Sequence, residues 1–167
     1  MRTENKLKSL PTVQKALLVS FLIILSIGFF TGLGFVSNTT NATPSGIESQ
    51  YLGNENEDGA VMEMKFKKSE REMLTIIHTH TMSLALVFGI VGFLVSLTGL
   101  PTKFKLFLVI EPFVSVAVTF GGLFVMWLGV NWFSYIVAFS GFLMTITYAT
   151  SVILILIEMC FSDKIEK

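Results

Sequence analysis

The sequence predicts an all-α integral membrane protein, an antiparallel bundle of four transmembrane helices. The chain of 167 residues is 52% hydrophobic and only 14% charged, with a mean hydropathy of +0.70. A soluble domain of this size cannot bury so much apolar surface. The apolar residues fall into four runs, each long enough to cross a bilayer core of ~30 Å, and the charges lie at their ends. We expect residues 1–167 to form a single membrane domain.

The four spans are predicted at residues 16–36, 74–100, 106–128 and 132–161. The first follows a basic leader; its apolar run is longer than the ~7–15 residues of a cleaved signal peptide, so an uncleaved span is favoured. Residues 37–73 form the only long connection and are rich in Asn, Thr and Gly, which are turn formers. Pro101 ends the second span. The remaining connections are short, as expected for antiparallel neighbours.

The distribution of basic residues predicts the orientation. Those on one side are Arg2, Lys6, Lys8, Lys15, Lys103, Lys105, Lys164 and Lys167, and those on the other are Lys65, Lys67, Lys68 and Arg71. Because basic residues concentrate on the cytoplasmic side, both termini should be cytoplasmic and loop 37–73 should lie outside. Trp127, Trp132 and Tyr135 cluster at the matching outer boundary as aromatic anchors.

Charge and motifs exclude several classes of function. The formal net charge is zero, so no overall positive charge favours nucleic acid as a partner. The expected partner is the lipid bilayer, because the apolar spans must be embedded in it. The single cysteine, Cys160, cannot form an intrachain disulfide, and the Cys/His spacing of a zinc site is absent. No catalytic triad, phosphate-binding loop or H-E-x-x-H helix is present. We predict no catalytic residue and favour a protein that is not an enzyme.

Both histidines, His78 and His80, lie near the outer start of the second span. His78 shares a helical stripe with Met82 and several small residues, and we expect that stripe to face another helix. His80 lies ~200° around the helix axis, so the two imidazoles cannot bind one ion from a regular helix. A haem b or copper site at His78 or His80, with a thioether from Met82 or Met126, would define a redox protein. Alternatively, both histidines lie among the headgroups and bond to water or neighbouring threonines.

The third span carries a polar stripe of Glu111, Ser115 and Thr119, which we expect to face the bundle. A second polar stripe, on one side of the fourth span, consists of Ser140, Thr147, Ser151 and Glu158. We expect the two glutamates at similar depth near the cytoplasmic ends of their helices. Nearby carboxylates at low dielectric would suit a proton relay or a cation site, and so a small proton- or cation-coupled transporter. Alternatively, Glu158 extends to the inner surface and Glu111 begins its helix beside Pro112.

Several short stretches resemble a group of small bacterial inner-membrane proteins with four predicted spans and a His-x-His motif opening the second. These stretches are Thr43 to Ile47, Tyr51 to Glu55, Lys68 to Ser69, Glu72 to Leu74 and His78 to His80. The resemblance implies a bacterial inner membrane and no particular reaction. It also suggests that Tyr51 and Glu55 act with the histidines as one outer-face unit, with the loop folded so that Glu55 approaches an imidazole.

The leading functional hypothesis is therefore an accessory protein or complex subunit. Its outer loop and His78 would bind a partner or a prosthetic group, in a homo-oligomer or a larger membrane complex. The redox protein and the small transporter remain the alternatives.

Overall fold

The computed structural model describes residues 6–55 and 64–160, which form five α-helices. They are α1 (Thr12–Thr40), α2 (Pro44–Leu52), α3 (Glu70–Ser96), α4 (Thr102–Trp127) and α5 (Phe133–Cys160). All but α2 are long and apolar enough to cross a membrane, with mean hydropathies of 1.7 to 2.4. The described ranges contain no strand. The predicted all-α membrane fold is confirmed, and the chain is a multi-pass membrane protein.

Some residues used in the predictions lie outside the described ranges. They are Arg2, Lys164 and Lys167, the end of the predicted fourth span at 161, and residues 56–63 of the predicted loop. The prediction of cytoplasmic termini and that of a single domain therefore remain predictions.

The long helices run in alternating directions and define two ends of the bundle. At the end that we call the α2 end, α1 and α4 finish and α3 and α5 begin. At the opposite end, the backbone N–H of Lys6 donates to the carbonyl of Leu97 at 3.0 Å, which ties the start of the chain to the end of α3. The short connections between α3, α4 and α5 place each helix beside the next, as in antiparallel hairpins.

Helix α1 is peripheral, whereas α3, α4 and α5 share the buried core. Only Leu22 and Thr40 of α1 are buried. Its main contact with the core is Tyr148 of α5, whose ring stacks on Phe29 with centroids 3.9 Å apart and whose hydroxyl lies 3.2 Å from the Ser26 hydroxyl. The core of the bundle is therefore a three-helix unit with α1 along one side.

Helix α2 lies in the connection that the sequence predicted as loop. Thr43 caps it by accepting a hydrogen bond from the N–H of Gly46, and Pro44 occupies the first turn, where its missing N–H costs nothing. Gly53 ends the helix at a φ of 86°, a conformation that favours glycine. Several residues that carry the family resemblance thus form the caps and turns of α2.

Helices α1, α3 and α4 each begin four residues before their predicted spans, whereas α5 lies within its own. Helix α3 begins at Glu70, four residues before the predicted span, because Ser69 and Glu72 form a reciprocal capping box. Such a cap satisfies free N–H groups of the first turn and permits a charged start. Hydropathy marks the lipid-embedded part of a helix, whereas caps determine where the helix itself begins.

Candidate functional site

A line of polar side chains is buried where α4 packs against α5. We call this set the α4–α5 seam, and its members are Glu111, Ser115, Thr119, Ser140, Thr147 and Ser151. Glu111 is 8% exposed. The Ser115 hydroxyl donates to its Oε1, and the Thr147 hydroxyl donates to its Oε2. The predicted polar stripes of the third and fourth spans do face the bundle.

Two further parts of the seam lie on either side of Glu111. Toward the α2 end, the hydroxyls of Thr119 and Ser140 are 2.7 Å apart and form a hydrogen bond. Toward the opposite end, Ser151 is 1% exposed, and its Oγ has no hydrogen-bond partner within the described residues. The seam therefore holds one carboxyl group between a closed hydroxyl pair and a free hydroxyl.

Glu158 does not belong to this seam, and the expectation that it lies level with Glu111 is wrong. Glu111 is level with its partner Thr147, which precedes Glu158 by eleven residues, or about 16 Å of helix at 1.5 Å per residue. Both carboxylate oxygens of Glu158 instead accept from the Gly99 N–H, at 3.0 and 3.1 Å. Glu158 thus binds the turn between α3 and α4.

His78 is exposed on the side of α3 that none of the five described helices covers. It lines a shallow surface groove with Glu70, Arg71, Leu74 and Thr75. Met82, one turn further along, is 57% exposed. The expectation that this stripe faces a neighbouring helix is therefore wrong for its outer part, whereas Gly92, further along the same stripe, is buried against Val109 of α4.

The His80 stripe is the packed one. Val91 and Val95, on that stripe, are 3% and 0% exposed, so β-branched side chains as well as Gly92 fill the contacts of α3 with its neighbours. The His80 imidazole lies against Phe120 of α4, with ring centroids 5.4 Å apart. Its Nδ1 is 2.8 Å from the Ile76 carbonyl oxygen, so the imidazole bonds to its own helix.

The predicted thioether ligands occupy different environments. Met126 is 0% exposed and Met82 is 57% exposed. Within residues 6–55 and 64–160, no group of three or more His, Cys, Asp or Glu side chains converges as a metal site would require. Haem or copper binding by His78 or His80 remains a prediction.

The segment around α2 is folded onto the α2 end of the bundle. The Ser134 hydroxyl, at the start of α5, donates to the Glu48 carboxylate at 2.6 Å. The Trp127 indole, at the end of α4, donates to the Lys68 carbonyl at 2.8 Å. Lys65 reaches the Thr39 carbonyl of α1 at 2.6 Å. Three helix ends are thereby joined by one segment, which we call the cap (residues 44–55 and 64–69).

Of the two predicted residues in the cap, Tyr51 is integrated and Glu55 is not. The Tyr51 carbonyl accepts from the N–H of Lys68 at 3.0 Å, and burial raises the pKa of its phenol above the usual 10.0. Glu55 is exposed. Among the described residues it makes no hydrogen bond or ion pair with His78 or His80, so its approach to an imidazole stays a hypothesis.

Sequence reasoning did not identify Thr147 as the partner of Glu111, nor the bond between Glu48 and Ser134. A signal for the first pair exists, because Glu111 and Thr147 are each 18 residues from Gly129 in the turn between the two helices. Residues equidistant from the turn of an antiparallel hairpin lie side by side. The bond between Glu48 of α2 and Ser134 of α5 has no such local signal in the sequence.

The fold and its seam define a small multi-pass membrane protein with a buried polar interface and a folded cap. Its chain belongs to the Aq_1264_TM family of transmembrane helical domains, whose profile matches residues 41–166. No curated protein matches the chain, and no solved structure matches it. The family match begins after α1, so the domain that it describes corresponds to α2–α5, the cap and the three-helix core.

Proposed function

We propose that this protein is a non-catalytic subunit of a complex in a bacterial inner membrane, with both termini cytoplasmic. In this proposal, the first half of α3 binds a transmembrane helix of a partner subunit through His78. The observation that carries the proposal is the exposure of His78 on a face that residues 6–55 and 64–160 leave uncovered.

His78 lies eight residues after Glu70, the first residue of α3, or about 12 Å along the helix. Within the described residues its imidazole makes no hydrogen bond or ion pair. Lipid tails offer no polar partner, and an ionisable side chain inside a span generally pairs within the protein or with a bound group. A polar side chain on a partner helix would meet this requirement.

The neighbouring polar groups on this face already have hydrogen-bond partners within α3. The Thr75 hydroxyl donates to the Arg71 carbonyl at 2.7 Å, and the Ser83 hydroxyl donates to the Thr79 carbonyl at 2.8 Å. Further along α3, Met82 and Leu86 are 57% and 67% exposed and provide apolar surface. His78 is thus the group that would give specificity, and the apolar surface would give contact area.

The experiment places a photo-cross-linking amino acid at Met82 in the full-length protein in its native membrane. The matched control is Ile24 of α1, an apolar residue of comparable exposure at 69%. We expect one discrete cross-linked product from Met82 and none from Ile24, with the partner identified by mass spectrometry. A second copy of this chain would identify the complex as a homo-oligomer.

The role of His78 is then tested by substitution. Interhelical hydrogen bonds in membranes contribute about 0.6–1.7 kcal/mol, so His78→Leu should reduce the product by about 3-fold to about 18-fold. His80→Leu serves as the matched control and should leave the yield unchanged, because His80 already bonds to Ile76. Equal labelling at Met82 and Ile24, or a yield that does not depend on His78, would contradict the proposal.

An absorption spectrum of the purified protein, oxidised and then reduced with dithionite, tests the redox alternative. A Soret band or stoichiometric copper that disappears in His78→Ala would indicate that His78 binds a prosthetic group and not a partner helix. A colourless, metal-free protein that forms the cross-link at Met82 would support the proposal that it is a subunit of a complex.

A further inference from the structure

The carboxyl group of Glu111 is the one ionisable group among the six members of the α4–α5 seam. It lies nine residues after the start of α4, or about 14 Å along the helix, and is 8% exposed. Its two described hydrogen-bond partners, Ser115 and Thr147, are neutral hydroxyls. An ionised carboxylate at such a position lacks the cation that usually offsets its cost in a bilayer.

The charged and titratable groups of the packed helices lie away from Glu111. On α3, Gly92 lies against Val109 of α4 and His80 lies against Phe120, so His80 is about nine residues, or ~14 Å, from the level of Glu111. The remaining charged side chains of α3 are Glu70, Arg71 and Glu72, with His78 between them and His80; all lie nearer the α2 end.

On α5, the nearest titratable group is Tyr148, whose hydroxyl is directed to Ser26 of α1. Tyr135 lies near the α2 end, and Glu158 and Cys160 lie at the opposite end. On α4 itself, Lys103 and Lys105 are in the first turn, and Lys105 bonds to the Thr98 carbonyl at 2.7 Å. None of these groups makes an ion pair with Glu111.

Thr147 can satisfy the carboxyl group in either protonation state. Its Oγ1 contacts Glu111 Oε2 and also lies 2.9 Å from the Leu143 carbonyl oxygen. A hydroxyl has one proton to donate and lone pairs to accept with. Toward an ionised Glu111, the Thr147 hydroxyl donates to Oε2. Toward a protonated Glu111, it donates to Leu143 and accepts the proton of the carboxylic acid.

We propose that Glu111 is a reversible proton-binding site inside the membrane bundle, with Thr147 as the positioning residue that accommodates both states. Uptake of a proton forms the O–H bond at Oε2, rotates the Thr147 hydroxyl to its helix carbonyl and leaves the Ser115 bond to Oε1 in place. The buried hydroxyl of Ser151, which has no hydrogen-bond partner in the described part of the chain, lies one helical turn from Thr147 on the same face. It provides the next polar group along which a proton can move toward the opposite end.

The test is infrared spectroscopy of the full chain in lipid nanodiscs, titrated from about pH 5 to about pH 9. We expect a C=O stretching band of a carboxylic acid that decreases reversibly as the pH rises. Glu111→Gln should remove the band, since the amide keeps the shape and both hydroxyl contacts but cannot ionise. Glu158→Gln, the matched control at the end of α5, should leave it unchanged.

Substitutions of Thr147 test whether it positions the carboxyl group of Glu111 or has a merely structural role. Thr147→Val removes the hydroxyl that bonds to Oε2 in either protonation state, so the C=O band of the carboxylic acid should move to a higher frequency, as expected when an acid loses a hydrogen bond. Thr147→Ser should restore the wild-type frequency. If Glu111→Gln fails to fold, these two variants with isotopically labelled glutamate still identify the band.

Two results would overturn the inference. One is a spectrum without a Glu111-dependent acid band at any pH in the range, because the carboxyl would then be permanently ionised. The other is a band that appears only when sodium is removed, because the site would then bind a cation in place of the proton.

Discussion

The docking of α2 depends on the absence of a side chain at Gly46. A β-carbon built there would lie 1.7 Å from the carbonyl oxygen of Thr40 at the end of α1. Because ordinary contacts begin at about 3.4 Å, Gly46→Ala forces α1 and α2 apart by about 1.7 Å. The obstructing atom belongs to the backbone, so no side-chain rotation relieves the contact.

The loss of stability in Gly46→Ala follows from the contacts that this displacement breaks. A shift of this size takes the 2.6 Å bond between Ser134 and Glu48 beyond hydrogen-bond distance, and a bond to a charged group contributes about 1.5–3 kcal/mol. It also exposes Ile47, now 7% exposed, at about 1.5–3 kcal/mol. The cap should therefore be destabilised by about 3–6 kcal/mol.

Hydrogen exchange measured by mass spectrometry reports this loss locally. Since about 1.4 kcal/mol corresponds to tenfold, amides of α2 should exchange about 100-fold to about 10⁴-fold faster in Gly46→Ala. Gly28→Ala is the matched control, because a β-carbon there meets no atom within 4 Å, and it should leave α2 exchange unchanged. Wild-type exchange rates in Gly46→Ala would refute the reasoning, since α2 would then not be seated against Thr40.

Three other substitutions test the cap and the core. The raised pKa of Tyr51 means that the cap accommodates the neutral phenol, so cap stability should be full below about pH 10 and fall as the pH rises through the raised pKa. Tryptophan fluorescence should show this alkaline step in the wild type and lose it in Tyr51→Phe. Trp127→Phe leaves the Lys68 carbonyl without its donor and should lower stability by about 0.5–1.5 kcal/mol in thermal unfolding. Gly122→Ala places a β-carbon 3.0 Å from an α5 side chain and should cost about 1–3 kcal/mol in the same assay, whereas Gly89→Ala, in open space, should not destabilise.

The membrane fold was predictable because the bilayer leaves the chain little choice. Backbone groups in the lipid must be hydrogen-bonded within the chain, so long apolar runs become helices. The faces of α4 and α5 were predictable for a related reason, since Glu111 and Thr147 are polar and must turn away from lipid. The packed face of α3 was not predictable in this way, because a small residue such as Gly89 is tolerated facing either lipid or protein.

Features that depend on tertiary contact escaped prediction. Helix α2 spans nine residues, too few to be stable alone, and it exists because Gly46 fits against α1 and Glu48 binds Ser134. The depth of Glu158 relative to Glu111 was predicted wrongly for another reason, because both residues were placed by their distance from the helix ends. Counted from Gly129 in the turn, Glu111 is 18 residues away and Glu158 is 29, which gives the difference in depth.

The pairing of Glu111 with Thr147 has a consequence for how the protein is made. The two residues are 36 positions apart in the chain, so at about 5–20 residues per second Thr147 is synthesised about 2–7 seconds after Glu111. During that time α4 carries an acidic group whose insertion alone costs about 2.5–3.5 kcal/mol, by analogy with Asp at a helix centre. Helix α4 should therefore remain beside the insertion machinery until α5 arrives, and the two helices should enter the lipid together as a hairpin.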